Sequence, residues 1–125
     1  MGYYALQIDG NITIPADKRG DTLNAIVEAY TAHNASESKW YDLDIPTDLE
    51  AELERTGFDF MYDSDELVIT TFDSKWHGYL ENSLIPALLK YATPDSAMAF
   101  RGEDGALWRF AKGADKIQSA TIIWS

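Results

Sequence analysis

The chain has 125 residues, 46% hydrophobic and 13% aromatic, which is enough apolar surface for one buried core and argues against a disordered chain. It contains no cysteine, so a disulfide framework, thiolate metal ligation and a cysteine nucleophile are excluded together. Its formal net charge of −11 disfavours direct binding of nucleic acid, because displacing counterions from phosphates needs a cationic surface.

That charge is unevenly spread. Residues 1–36 hold four acids and two bases, residues 37–66 eleven acids and two bases, and residues 67–125 six of each, giving −2, −9 and zero. The histidines, His33 and His77, stand far apart and outside any HxxxH spacing, which removes helix-borne zinc chemistry. No basic leader followed by an apolar stretch opens the chain, and no apolar run approaches a membrane span. Gly2 is followed at position 6 by Leu rather than Ser or Thr, so the myristoylation pattern fails. The expectation is a soluble, cytoplasmic protein forming a single domain over 1–125.

In chain order, "YYALQIDGNITI" alternates around Asp9-Gly10 and predicts a hairpin with strands over 3–8 and 11–14. Leu23, Ile26, Val27 and Tyr30 then form one apolar helical stripe, with Asp21 as its N-cap. Residues 34–46 form the long connection. Thr47 and Glu50 make a capping box, and Gly57 supplies the C-terminal glycine of a short helix whose inner face is Leu49 and Leu53. On that helix Glu50 and Glu54 are four apart, as are Asp48 and Glu52, and each like-charged pair costs a few tenths of a kcal/mol. "FDFMY" and "ELVITTF" flank Asp63-Ser64-Asp65 as a second hairpin.

Trp76, Leu80, Leu84, Leu88 and Tyr91 predict a longer helix. Pro86 within it requires either a start near Ser83 or a kink. "AMAFRG", "GALWRFAK" and "KIQSATIIWS" then read as three antiparallel strands. The order β-β-α-α-β-β-α-β-β-β predicts an α+β fold in which helices pack on one face of an antiparallel sheet, in a ferredoxin-like, split β-α-β variant.

From "GFDFMYDSDELVITTF" through "GEDGALWRF" to "IIW", roughly residues 57–124, the chain resembles a loosely defined group of small ferredoxin-like α+β proteins of bacteria, plasmids and phages. The matching positions are Gly102, Glu103, Asp104, Gly105, Trp108 and Arg109 in a GEDG-x-x-W-R hairpin. The resemblance implies a fold and a mobile-element setting, with no catalytic role attached. The acidic insert around 40–54 has no counterpart in it.

The GEDG string reads as a turn. A phosphate loop needs a helix N-terminus and is repelled by two carboxylates, and a calcium loop needs more oxygen ligands than Glu103 and Asp104 supply. Neither Asp63-Ser64-Asp65-Glu66 nor Asp42-x-Asp44 has a calcium-loop pattern, and no Ser occupies a G-x-S-x-G elbow. No catalytic, cofactor or metal residues are assigned.

The −9 block is interleaved with Trp40, Tyr41, Leu43, Ile45, Leu49, Leu53, Phe58, Phe60 and Tyr62, so its charges sit on a folded scaffold. Aromatics rimmed by charge form interaction hot spots. The expected function is a non-catalytic binding protein that occupies a basic, nucleic-acid-binding surface of a partner protein. Its contacts are Trp40, Tyr41, Asp42, Asp44, Asp48, Glu50, Glu52, Glu54, Asp63, Asp65 and Glu66. The sharpest form is a phage inhibitor of a host defence nuclease, an anti-CRISPR-like mimic of nucleic acid. The alternatives are an immunity or regulatory protein for a cognate toxin and a small hydrolase or ligand-binding domain. The chain is expected to be a monomer or a homodimer, its C-terminal "SATIIW" strand offering an edge to a second copy.

Overall fold

The computed structural model describes residues 3–36, 41–112 and, as backbone, 114–118. The fold is α+β. Its strands β1 (Tyr4–Ile14), β2 (Phe58–Asp63), β3 (Glu66–Lys75), β4 (Ala97–Gly102), β5 (Leu107–Ala111) and β6 (Ala114–Gln118) form one sheet in the order β2-β3-β1-β4-β5-β6. Every pairing is antiparallel. The helices are α1 (Arg19–Ala35), α2 (Leu49–Thr56) and α3 (Ile85–Lys90). α1 packs on α3, α3 on β1 and α2 on β2.

The expected N-terminal hairpin is instead one strand, β1, at the centre of the sheet. Gly10 does have the positive φ that a turn would use, +81°, but spends it on a bulge. The Gln7 side chain donates to the Gly10 carbonyl at 2.8 Å, and the register to β4 slips between Gln7 and Asp9. A Cβ at Gly10 would overlap the Ala97 carbonyl, so the close approach of β4 requires glycine as well. The bulge reverses the alternation: Ala5 is buried before it, Ile12 and Ile14 after it.

α1 starts before Asp21. A 3₁₀ turn over Ala16–Lys18 feeds directly into it, and Asp21 lies in its first turn, 3.7 Å from Lys18, rather than at the cap. The buried face is Thr22, Ala25, Ile26 and Tyr30, so the stripe is rotated from the predicted one and Leu23 and Val27 lie at its margin. α2 is capped by Asp48, one residue after the expected Thr47, its carboxylate accepting from Ala51 N at 3.0 Å. Gly57 closes it in the left-handed conformation.

The 58–75 hairpin forms as expected, around a two-residue turn in which Ser64 and Asp65 both have positive φ. Before Pro86 the helix widens into a π turn, Leu80–Leu84, in which Ile85 N–H bonds to Leu80 O. This opens the backbone where the proline ring would otherwise press on the Asn82 carbonyl and puts Pro86 in the first turn of α3. Of the predicted C-terminal strand, Lys116–Gln118 fall in β6, which begins at Ala114; "SATIIW" lies outside the described residues.

Phe58, Phe72, Phe100, Ile12, Ile14, Leu67 and Ile69 from the sheet meet Ile26, Tyr30, Leu53, Leu80, Leu84 and Leu88 from the helical layer in the core. No helix among the described residues is long and apolar enough to cross a membrane.

Candidate docking surface

The surface is built on the connection between α1 and α2. Asn34, in the last turn of α1, clamps this connection as a strand neighbour would: its Nδ2 donates to Leu43 O at 2.8 Å and its Oδ1 accepts from Leu43 N at 2.7 Å. His33 Nε2 donates to Tyr41 O at 3.0 Å. With Leu43 buried, Tyr41, Asp42, Asp44 and Ile45 are left exposed on a fixed loop. The Tyr41 ring meets His33 and the edge of Tyr79, and Tyr79 stacks on His77. Tyr41, Asp42, Leu43, Asp44, Arg55, His77 and Tyr79 line an open pocket of about 380 Å³.

The four acids of the α2 segment have four different fates. Asp48 caps the helix. Glu50 accepts a hydrogen bond from the Tyr62 hydroxyl, which holds that phenol above its ordinary pKa. Glu54 is exposed. Glu52 points inward and is 4% exposed, so its place on the predicted contact surface is corrected: it is a core carboxylate. Its Oε2 accepts from the Tyr30 hydroxyl and from Arg55 Nη2, each at 2.5 Å, and its Oε1 from Arg55 Nε at 2.8 Å. Burial, then the bond to Glu52, pushes the Tyr30 phenol well up. The Glu52 bond likewise raises Arg55, and burial raises Tyr79, which accepts a long bond from Arg55. Such a carboxylate is tolerated because its charge is paired and its oxygens hydrogen-bonded. The like-charge repulsion expected along α2 is thereby dispersed into a cap, a tyrosine contact and a buried ion pair.

At the other end of α2, Asp63 and Asp65 are exposed in the β2–β3 turn and Glu66 is half-buried. Arg19 lies over the Tyr62 ring at 5.4 Å. The structure brings Tyr41, Asp42 and Asp44 together at one end of α2 and links Glu50 to β2 through Tyr62 at the other. Trp40 lies outside the described residues. Tyr30, Arg55, His77 and Tyr79 went unassigned in the sequence. The available signal was the three-residue spacing of Glu52 and Arg55, with Glu52 on the same helical face as Leu49, Leu53 and Thr56.

The GEDG string is the β4–β5 turn. Gly105 (φ +87°) donates to Gly102 O, and Gly102 donates to Ala106 O. Glu103 accepts from Tyr4 N at the start of β1 at 2.9 Å, and Asp104 accepts from the hydroxyl of Tyr3, just before β1, and from Ala106 N within the turn. Among the described residues no group of three or more His, Asp or Glu converges to hold a metal. No protein-family model, curated protein or solved structure matches the chain.

Proposed function

We propose that the protein is a non-catalytic binding protein whose 41–66 surface docks on a basic, nucleic-acid-binding surface of a partner protein. The observation that carries this is a set of exposed acids, Asp42, Asp44, Glu54, Asp63 and Asp65, carried on folded elements together with the exposed apolar groups Tyr41, Ile45 and Tyr62. Among the described residues, Arg55 beside it is engaged on Glu52 and Arg19 lies over Tyr62. Ordered carboxylates on a rigid frame compete with phosphates for a Lys/Arg-lined channel, and rising salt weakens the attraction.

The sharpest form is an anti-CRISPR-like phage inhibitor of a defence nuclease. The GEDG-x-x-W-R resemblance, with its mobile-element setting, belongs to this proposal. So does a ferredoxin-like core: the order β4-β1-β3-β2, with each β-α-β connection skipping one strand, supports that reading, β5 and β6 being additions.

The test avoids the structural acids. Reversing Asp44, Glu54 and Asp63 to lysine is expected to abolish low-salt capture of a basic partner from the native host, with an unchanged circular dichroism spectrum. Capture that survives the triple reversal sinks the idea. A second reading, a ligand-binding site, is favoured by the pocket that sets Asp42, Asp44 and His77 beside Tyr79. Turnover or saturable binding of a small molecule lost in His77→Ala, with no protein partner, would select it.

A further inference from the structure

The sheet face that none of the described helices covers carries a second set of exposed apolar side chains. Tyr4, Leu6 and Ile8 take successive outward positions on β1 and are 48, 40 and 39% exposed, while Ala5 between them is buried on the helical side. A solvated sheet face normally turns polar residues outward. Three large apolar groups in line on the central strand make a contact surface.

Register sets their charged neighbours. Leu6 stands opposite Asp73 on β3 and Arg101 on β4. One outward step along β1, Tyr4 stands opposite Lys75 and exchanges bonds with Glu103, whose N–H donates to Tyr4 O at 2.9 Å. One row is therefore acid, Leu6, base, and the next is base, Tyr4, acid. Tyr4, Leu6, Asp73, Arg101 and Glu103 surround a single hollow of about 550 Å³.

We propose that this face is an interface between two copies of the chain. An isologous contact requires a patch complementary to itself, and this alternation satisfies either two-fold axis that lies between two such faces. An axis along β1 sets Asp73 against Arg101 of the second copy and Lys75 against its Glu103. An axis across the strands sets Asp73 against Lys75 of the second copy and Arg101 against its Glu103. Leu6 and Tyr4 close the centre in both. The four charges cancel, whereas the −9 of residues 37–66 would repel a second copy. Of the two exposed apolar sets, this is the one that accepts its own kind.

Interfaces below about 1,200 Å² are weak, so sedimentation velocity of the full chain should run from about 5 to about 500 µM. The mass is expected to double across that range. Leu6→Glu, an outward position, should keep the circular dichroism spectrum and stay monomeric. Asp73→Lys sets like charges together under either axis and should weaken association at least about tenfold. One of two double variants then restores it: D73K/R101E for the axis along the strands, D73K/K75D for the axis across them. A chain monomeric throughout, a dimer indifferent to Leu6→Glu, or failure of both doubles to restore association overturns the proposal. So does a monomer that binds an apolar dye such as anilinonaphthalene sulfonate in a Leu6-dependent way, which would give the face to an apolar ligand.

Discussion

The acidic segment and the open sheet face both expose large apolar side chains, Tyr41, Ile45 and Tyr62 on one and Tyr4, Leu6 and Ile8 on the other. They differ in how charge is deployed around them. In the acidic segment one sign dominates, and the fold must dispose of some of it, capping with Asp48, pairing Glu50 with Tyr62 and burying Glu52 beside Arg55. On the sheet face the signs alternate with the strand register and cancel locally. Excess of one sign selects a partner of opposite charge; an alternating patch is complementary to itself.

The largest test of that contrast lies within α2. Glu52→Lys puts a cation against Arg55 in a buried site and removes the acceptor of Tyr30, for an expected loss of about 3–5 kcal/mol in urea unfolding. Glu54→Lys, two residues away and exposed, should change stability by less than about 0.5 kcal/mol. Equal effects would mean that the acids of α2 are one solvated set after all. Next in size, Tyr30→Phe deprives a buried carboxylate of one partner while Arg55 remains, and should cost about 1–3 kcal/mol.

These residues also mark where the sequence was legible. Helix α2, the 58–75 hairpin and the strand pair around GEDG could be read because each carries its own punctuation: Gly57, Asp63-Ser64-Asp65, and Gly102 with Gly105. Glu52 was misplaced because charge in a helix is read as outward, and its partner Tyr30 lies 22 residues away on another helix. Asp9-Gly10 misled for a related reason: a positive φ serves a turn or a bulge equally, and only pairing with both β3 and β4 decides between them. The apolar outward row of β1 was hidden by the same error, since a two-strand hairpin would have placed Leu6 and Ile8 differently.

On the buried face of the sheet, Gly102 packs tightly against Tyr3. A Cβ there would overlap the Tyr3 phenol, so Gly102→Ala must displace the ring and the latch it makes with Asp104. The expected cost is about 1–3 kcal/mol. A Gly102→Ala/Tyr3→Ala pair should lose less than the sum of the two single changes, because the overlap is then absent. Strict additivity would show that the ring does not lie over Gly102.

The smallest effect expected is the pH dependence of that latch. Desolvation, then the bond to Asp104, raises the Tyr3 phenol from 10.0 to about 12. Asp104 is held below its ordinary 3.8 by the Tyr3 hydroxyl and then by Ala106 N–H. The two limbs have opposite signs. With its folded pKa raised, Tyr3 contributes stability that is complete below pH 10 and is lost as pH climbs through about 12. With its folded pKa depressed, Asp104 contributes stability that is present above 3.8 and is lost as pH falls through the lower folded value. Between these limits the latch is pH-independent. Tyr30, Tyr62 and Tyr79 are also raised and form a common alkaline background, so the informative quantity is a difference between variants. Thermal melts from pH 9 to 12 should fall less steeply in Tyr3→Phe than in the parent, and melts from pH 5 to 2 less steeply in Asp104→Asn. Parallel curves in both windows would show that the two residues are neighbours without being coupled, and that the latch adds nothing to the two bonds between Tyr4 and Glu103, one to the Glu103 carboxylate and one from its backbone N–H.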